Sequence, residues 1–261
     1  MSKRLAPPSK PSGFTGETLR KIGWVCLLAG IVGKTILEHK LLGLVNPTFD
    51  EMMAVLESTD AYYKIALGAM ILQIASTCAL PVFAFLLVEG AKHTKCFWKY
   101  FLRVLIVALV SEIPYDLAYQ GKWLDFSAQN PALGLVIALA MIFFFKSYAG
   151  KGFKSVVVAI IAVLFATLWA DMLMIADGSA AVLIIAVLWL CRNKKGLQVL
   201  AGAGITCIVP GMNFLRFALA PLMFLLMHFY TEEKGEGNRF INYASYPFLL
   251  LAGWLAARFA F

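Results

Sequence analysis

The sequence predicts an all-α fold, a polytopic bundle of transmembrane helices with about nine spans and a cytoplasmic N-terminus. Three observations predict it. Hydrophobic side chains make up 61% of the 261 residues, mean hydropathy is +0.79, and only 15% of residues are charged. Soluble chains average about 25% charged. The apolar residues fall in long runs, near the roughly 20 residues that cross a bilayer at about 1.5 Å per residue. Lys and Arg cluster in alternate gaps between those runs, as the positive-inside rule demands.

Residues 1–18 are polar, basic and rich in Pro, Ser and Gly, and read as a disordered basic tail. Residues 19–261 read as a single transmembrane domain. Apolar runs lie at 20–38, 62–89, 98–118, 131–149, 154–174, 178–191, 197–210, 213–230 and 241–259, the sixth and seventh being short. No small-x-small cleavage site follows the first run, so it reads as a retained anchor. Lys34, Glu38 and His39 near its end read as interfacial anchors. The loop after it holds Thr48 and Glu51 at capping-box spacing, followed by apolar residues at helical spacing. A short amphipathic helix on the outer surface is expected near 48–58.

The inside gaps carry Arg20 and Lys21, then Lys92, Lys95, Lys99 and Arg103, then Lys146, Lys151 and Lys154. Arg192, Lys194 and Lys195 follow, then Lys234 and Arg239. The net charge of +8 is thereby assigned to loops facing anionic lipid, with no nucleic-acid partner expected. The five cysteines form no CxxC pair and the three histidines lie far apart. Neither set suggests a disulfide framework or a metal site.

The densest information lies in the hairpin from Leu80 to Asp116, where two apolar runs flank a basic turn. Glu89 and His93, four apart, share a helix face at that turn. A carboxylate beside an imidazole orients a general base; the alternative is a polar pair snorkelling at the lipid headgroups. Glu112 and Asp116 flank Pro114 at the far end. Gln129 and Asn130 open the next run, Asp171 closes the fifth and Asp177 opens the sixth. These polar residues at successive outer span ends either line one cavity for an amine or hydroxyl acceptor or serve as solvated helix caps.

The hairpin resembles the TraX family of bacterial membrane proteins, whose founding member acetylates the N-terminus of conjugative pilin. The shared stretches are LPVFAFLLVEG (80–90), His93-Thr94, KYFLRVLIVALVSEIPYDLAY (99–119) and the Gln129-Asn130 pair. Weaker likeness continues in WADML (169–173) and YPFLLL (246–251). The resemblance implies a multi-pass protein of the bacterial inner membrane that transfers acetyl from acetyl-CoA to an amine or hydroxyl, with pilin or another surface molecule as acceptor. It implies His93 as base or acyl relay, oriented by Glu89. Glu112, Asp116, Gln129, Asn130 and Asp171 would shape the acceptor side. Lys92, Lys95, Lys99 and Arg103 would hold the CoA phosphates. No metal is implied.

Three departures from the family pattern stand out. An Asp-His pair in the first span is Gly30-Ile31 here. A His near the end is Leu249. An Asp before the sixth span is Ala176. Such losses also suit a degenerate enzyme, or a non-catalytic membrane scaffold or binding protein of the same fold.

Overall fold

A computed structural model describes residues 13–45, 47–209, 217–233, 235 and 237–259. The structure is 78% helix, with no strands among the described residues. The first helix, α1 (Gly16–Val32), starts at Thr15, whose hydroxyl accepts from the Thr18 amide at 3.2 Å. Residues 16–18 of the expected tail are therefore helical, while residues 1–12 lie outside the described residues. The helix runs on as a π-helical segment, Gly33–Leu41. Gly33 permits its close approach to the next span, since a Cβ there would sit 3.1 Å from Leu72 Cβ. Lys34 and Glu38 are not the expected interfacial anchors. Glu38 is buried, pairs with Lys34 and accepts from Gln73 Nε2 at 2.6 Å. A charge removed from water needs such partners.

Next comes α2 (Phe49–Ser58), capped by Thr48. The capping box is reciprocal. Glu51 accepts from the Thr48 amide at 2.8 Å, and the Thr48 hydroxyl accepts from the Glu51 amide at 3.3 Å.

The run at 62–89 is two helices, α3 (Asp60–Ser76) and α4 (Ala79–His93). The break has local causes. Ser76 and Thr77 hydroxyls each donate at 2.7 Å to a carbonyl three residues back, competing with the helix ladder. Pro81 then lacks an amide and crowds the carbonyl of Thr77, four residues before it. Pro114 acts similarly on α5 (Phe97–Tyr115), which continues as a π-helical turn, Asp116–Gln120, and ends at Gly121 with φ 69°.

The second half holds α6 (Pro131–Ser147), α7 (Phe153–Met172), α8 (Gly178–Leu190) and α9 (Lys195–Ile208). It closes with α10 (Met223–His228) and α11 (Arg239–Phe259). The short α8 is central. Val182, Ile184, Ile185, Leu188 and Trp189 are all buried on it, in one core cluster with Phe85 and Val88 of α4 and Leu139 and Ile142 of α6. At the α6–α8 crossing a Cβ on Gly134 would lie 3.2 Å from Gly178 Cα. Small residues bring helices together where lipid offers no hydrophobic drive. By contrast α7 is peripheral. Val156, Ile160, Leu164, Phe165 and Leu168 are each more than half exposed, a face suited to lipid.

Among the described residues, four helical segments are long and apolar enough to cross a membrane: Gly16–Leu41, Asp60–His93, Phe153–Met172 and Phe240–Phe259. Pro131–Ser147, Gly178–Leu190 and Lys195–Ile208 are apolar but shorter. Of the run at 213–230, residues 213–216 lie outside the described residues. The rest is a 3₁₀ turn, Ala220–Leu222, and the six-residue α10, well short of a span.

Replacing Thr48 by Ala should cost about 1 kcal/mol of local helix stability. Amide exchange at Met52 and Met53 should then rise about five-fold, read by hydrogen–deuterium exchange in nanodiscs. Unchanged exchange would show that the box does not hold α2.

Candidate functional site

A cavity of about 910 Å³ runs through the first half of the bundle. Its walls come from α1, the α3–α4 break, α4, α5, the start of α6 and α11. At one end lie Glu89, His93, Lys95 and Arg103, together with Arg20 of α1. At the other lie Tyr115, Tyr119, Ala176 and Asp177. Tyr100 and Tyr115 both line it and are fifteen residues apart on α5, roughly 22 Å at about 1.5 Å per residue. The basic end and the tyrosine end thus share one space.

The layers arrive there differently. At the basic end, Glu89 is buried on α4 while the His93 side chain, one turn on, is 58% exposed. His93 Nε2 stands 3.3 Å from Glu89 Oε2 and Lys92 Nζ 3.6 Å from Glu89 Oε1. Glu89 Oε2 is within ion-pair range of the imidazole but has no aligned hydrogen-bond donor. It is a buried acceptor beside the cavity. Tyr100 closes this region from α5, donating to Leu87 O at 3.3 Å. Lys95 and Arg103 line the cavity, whereas Lys92 and Lys99 are not among its described lining residues.

The expected acceptor residues are organised otherwise. Among the described residues, Glu112, Asp116, Gln129, Asn130 and Asp171 do not line the cavity. Asn130 is fully buried and joins three helices. Its Nδ2 donates to Ala108 O of α5 at 2.9 Å, and its Oδ1 accepts from the Ala132 amide of α6 at 2.8 Å and from Tyr246 Oη of α11 at 2.9 Å. Glu112 accepts from the Asn130 amide at 3.3 Å, and Asp116 from the Asp125 amide at 3.0 Å. The other oxygen of each carboxylate is buried without a hydrogen-bond partner. Gln129 pairs through its backbone with Met174 and Ala176. Asp171 is exposed at the end of α7. These residues hold the α5–α6 connection because helix ends leave amides that must be satisfied. In that connection Asp125 accepts from Lys122 and Ser127, which hold its carboxyl well below the usual carboxylate range.

Asp177, one of the polar residues expected at outer span ends, lines the cavity, as do Tyr115, Tyr119, Tyr243 and Tyr246, which do not stand out as site residues in the sequence. A signal exists: Tyr115 and Tyr119 are four apart and Tyr243 and Tyr246 three apart, which places each pair on one face. Tyr115 and Tyr119 stack with centroids 4.8 Å apart. Among the described residues no group of three His, Cys, Asp or Glu is placed to hold a metal ion.

The three departures from the family pattern converge at this tyrosine end. Ile31 is buried in a small cluster with Tyr115, Ala118 and Leu250, and Tyr119, Ala176, Tyr246 and Leu249 pack against it. Gly30 adjoins it. A Cβ there would lie 2.4 Å from Ser76 Cβ and 3.8 Å from Tyr119 Oη. Position 30 is a close helix crossing with no room for a side chain.

Stability tests follow from this geometry. Asn130→Ala removes a helix cap and two further hydrogen bonds in a buried site, so it should cost about 2–4 kcal/mol in denaturant titration of purified protein. Tyr246→Phe should cost about 0.5–1.5 kcal/mol, because the Ala132 amide still satisfies Asn130 Oδ1. Gly30→Ala should cost about 1–3 kcal/mol through overpacking. Adding Ser76→Gly should recover part of that loss, with a coupling of about 0.5–3 kcal/mol. A strictly additive pair would mean the two positions do not touch.

Compared with known families, the sequence matches the model described as TraX protein over residues 39–256. No curated protein and no solved structure matches significantly. The matched region takes in Glu89, His93, the α5–α6 connection and Leu249, and begins after Gly30-Ile31. A match over most of the chain, in an all-helical protein with membrane-length apolar helices, identifies it: the chain belongs to the TraX family.

Proposed function

We propose that the chain is a multi-pass acyltransferase of the bacterial inner membrane that moves an acetyl group from cytoplasmic acetyl-CoA to an amine or hydroxyl, with pilin or another surface molecule as the acceptor. The observation that carries this reading is the single cavity linking the Glu89–His93 end to the tyrosine end. An extended peptide covers roughly 22 Å in about six or seven residues, so an N-terminal segment entering at the tyrosine end would reach His93. In this reading the Arg20–Lys95–Arg103 end faces the cytoplasm, as its charge favours. Lys95, with Lys92 and Lys99 beside it, attracts the CoA phosphates. No part of the mechanism needs a metal.

His93 Nε2 takes the proton from the acceptor as its nitrogen or oxygen attacks the thioester carbonyl. A C–N or C–O bond forms, the tetrahedral intermediate collapses, the C–S bond breaks, and the departing thiolate takes the proton back from the imidazolium. Glu89, 3.3 Å away, stabilises the imidazolium during that interval.

The test is transfer of labelled acetyl from acetyl-CoA to a panel of peptide amines and hydroxyl acceptors by protein in proteoliposomes. His93→Ala should lower the rate by about 10²–10⁴-fold. Glu89→Gln should lower it less, because the imidazolium then forms beside a neutral partner. Full activity in His93→Ala removes this mechanism. No transfer and no stabilisation by CoA removes the enzyme reading.

A second reading, a non-catalytic scaffold or binding protein on the same fold, is favoured by one observation. Gly30, Ile31, Ala176 and Leu249, all apolar or without a side chain, gather at the tyrosine end. It predicts that His93→Ala supports the chain's cellular role as well as the wild type does.

A further inference from the structure

We infer that the acceptor is itself a membrane lipid: a glycerophospholipid that enters sideways between α5 and α11, sets its phosphate on Arg103, and presents a headgroup amine or hydroxyl to His93. The inference rests on the acyltransferase reading of this cavity and replaces its peptide acceptor with one drawn from the bilayer.

Three observations carry it. The first is a second cavity of about 380 Å³ between α5 and α11, lined by Arg103, Ile106, Val107, Phe240 and Tyr243. It shares Arg103, Val107 and Tyr243 with the main cavity. Ile106 and Phe240 on its outer rim are more than half exposed. A hydrocarbon chain can therefore lie in this groove while the polar head reaches the main cavity.

The second is the distribution of charge. Arg20 is engaged by Glu17 at 2.5 Å, and Lys92 by Glu89 at 3.6 Å. Arg103 has no carboxylate within ion-pair distance among the described residues. It stands where the two cavities join, on the lipid side. A guanidinium there suits a phosphate diester. Lys95, on the α4–α5 turn, is left for the nucleotide of the donor. Glu232 also lines the main cavity and favours a zwitterionic headgroup over a purely anionic one.

The third is the lining between the two polar ends. Trp24, Leu27, Phe83, Leu87, Val104 and Leu135 face this part of the cavity. At about 910 Å³ the space is at the upper end of the roughly 300–1,000 Å³ typical of ligand pockets. A threaded peptide would bring its backbone amides against these side chains, at about 1–3 kcal/mol for each left unpaired. An acyl chain carries no such groups.

The step balances as before. The headgroup N–H or O–H loses its proton to His93, its heteroatom bonds the acetyl carbon, the C–S bond breaks, and the thiolate leaves protonated.

The experiment uses the full chain in vesicles of phosphatidylethanolamine and phosphatidylglycerol with labelled acetyl-CoA, reading label in the extracted lipid. A photoreactive phosphatidylethanolamine with a diazirine on its acyl chain is crosslinked in parallel and mapped by mass spectrometry. The expected result is label in the lipid fraction and crosslinks on Val107 and Tyr243. Arg103→Gln should raise the KM for lipid about tenfold and leave that for acetyl-CoA unchanged. Label on a peptide amine but never on lipid overturns the inference and leaves the acyltransferase reading standing. Crosslinks confined to the exposed face of α7 also overturn it. Crosslinks at Val107 and Tyr243 without label in the lipid overturn the acceptor role, and the peptide and hydroxyl panel then decides the acyltransferase reading separately.

Discussion

The side chain of Asn130 fixes the geometry on which the cavity depends. With no exposure to solvent it bonds α5, caps α6 and receives the hydroxyl of Tyr246 from α11. Those three helices form much of the cavity wall. In an apolar surrounding an amide left unpaired is costly, so all three bonds form together and set the relative heights of α5, α6 and α11. Glu112 and Asp116 extend the same logic to the α5–α6 connection, each accepting one backbone amide. The polar residues at this end hold the wall, and the tyrosines face the space.

Backbone irregularity places the polar groups along that space. The α3–α4 break brings Ser76 and Thr77 to the cavity, and the helix resumed after it carries Glu89 and His93 on one face. Pro114 redirects α5 into a π-helical turn that sets Tyr119 above Tyr115. Gly30 allows α1 to cross directly against the break. In lipid such departures from the regular helix persist only where protein or a cavity satisfies the freed groups. Their concentration around one cavity is therefore informative about where the chain acts.

The apolar cluster of Ile31, Leu249 and Ala176 with the tyrosines gives the replaced positions a shared meaning. They are far apart in the chain yet pack as one unit. A charge at Ile31, which has no exposure, would be buried among apolar and tyrosine side chains. The Glu89–His93 end is untouched by these replacements. Chemistry that needs only that end is compatible with them.

The amino-acid sequence by itself determined the membrane character, the helical class, the family, the α2 capping box and the Glu89–His93 pair. All of these rest on composition or on contacts within one turn, where spacing dictates geometry. It misjudged what depends on neighbours distant in the chain. Lys34 and Glu38 read as surface anchors because Gln73, which completes their bonding, is 35 residues from Glu38. Glu112 and Asp116 read as acceptor groups, and Asn130 as either acceptor group or cap, because the partners that decide their roles lie elsewhere along the chain. The short α8 read as a weak span, yet it is the centre of the core, since protein on every side removes the need for membrane length. The sharing of one cavity by the basic and tyrosine ends, and the groove between α5 and α11, were decided only by tertiary packing. Helix crossings are set by side-chain shape and by small-residue contacts such as Gly30 on Ser76 and Gly134 on Gly178, which no periodicity within a single helix expresses.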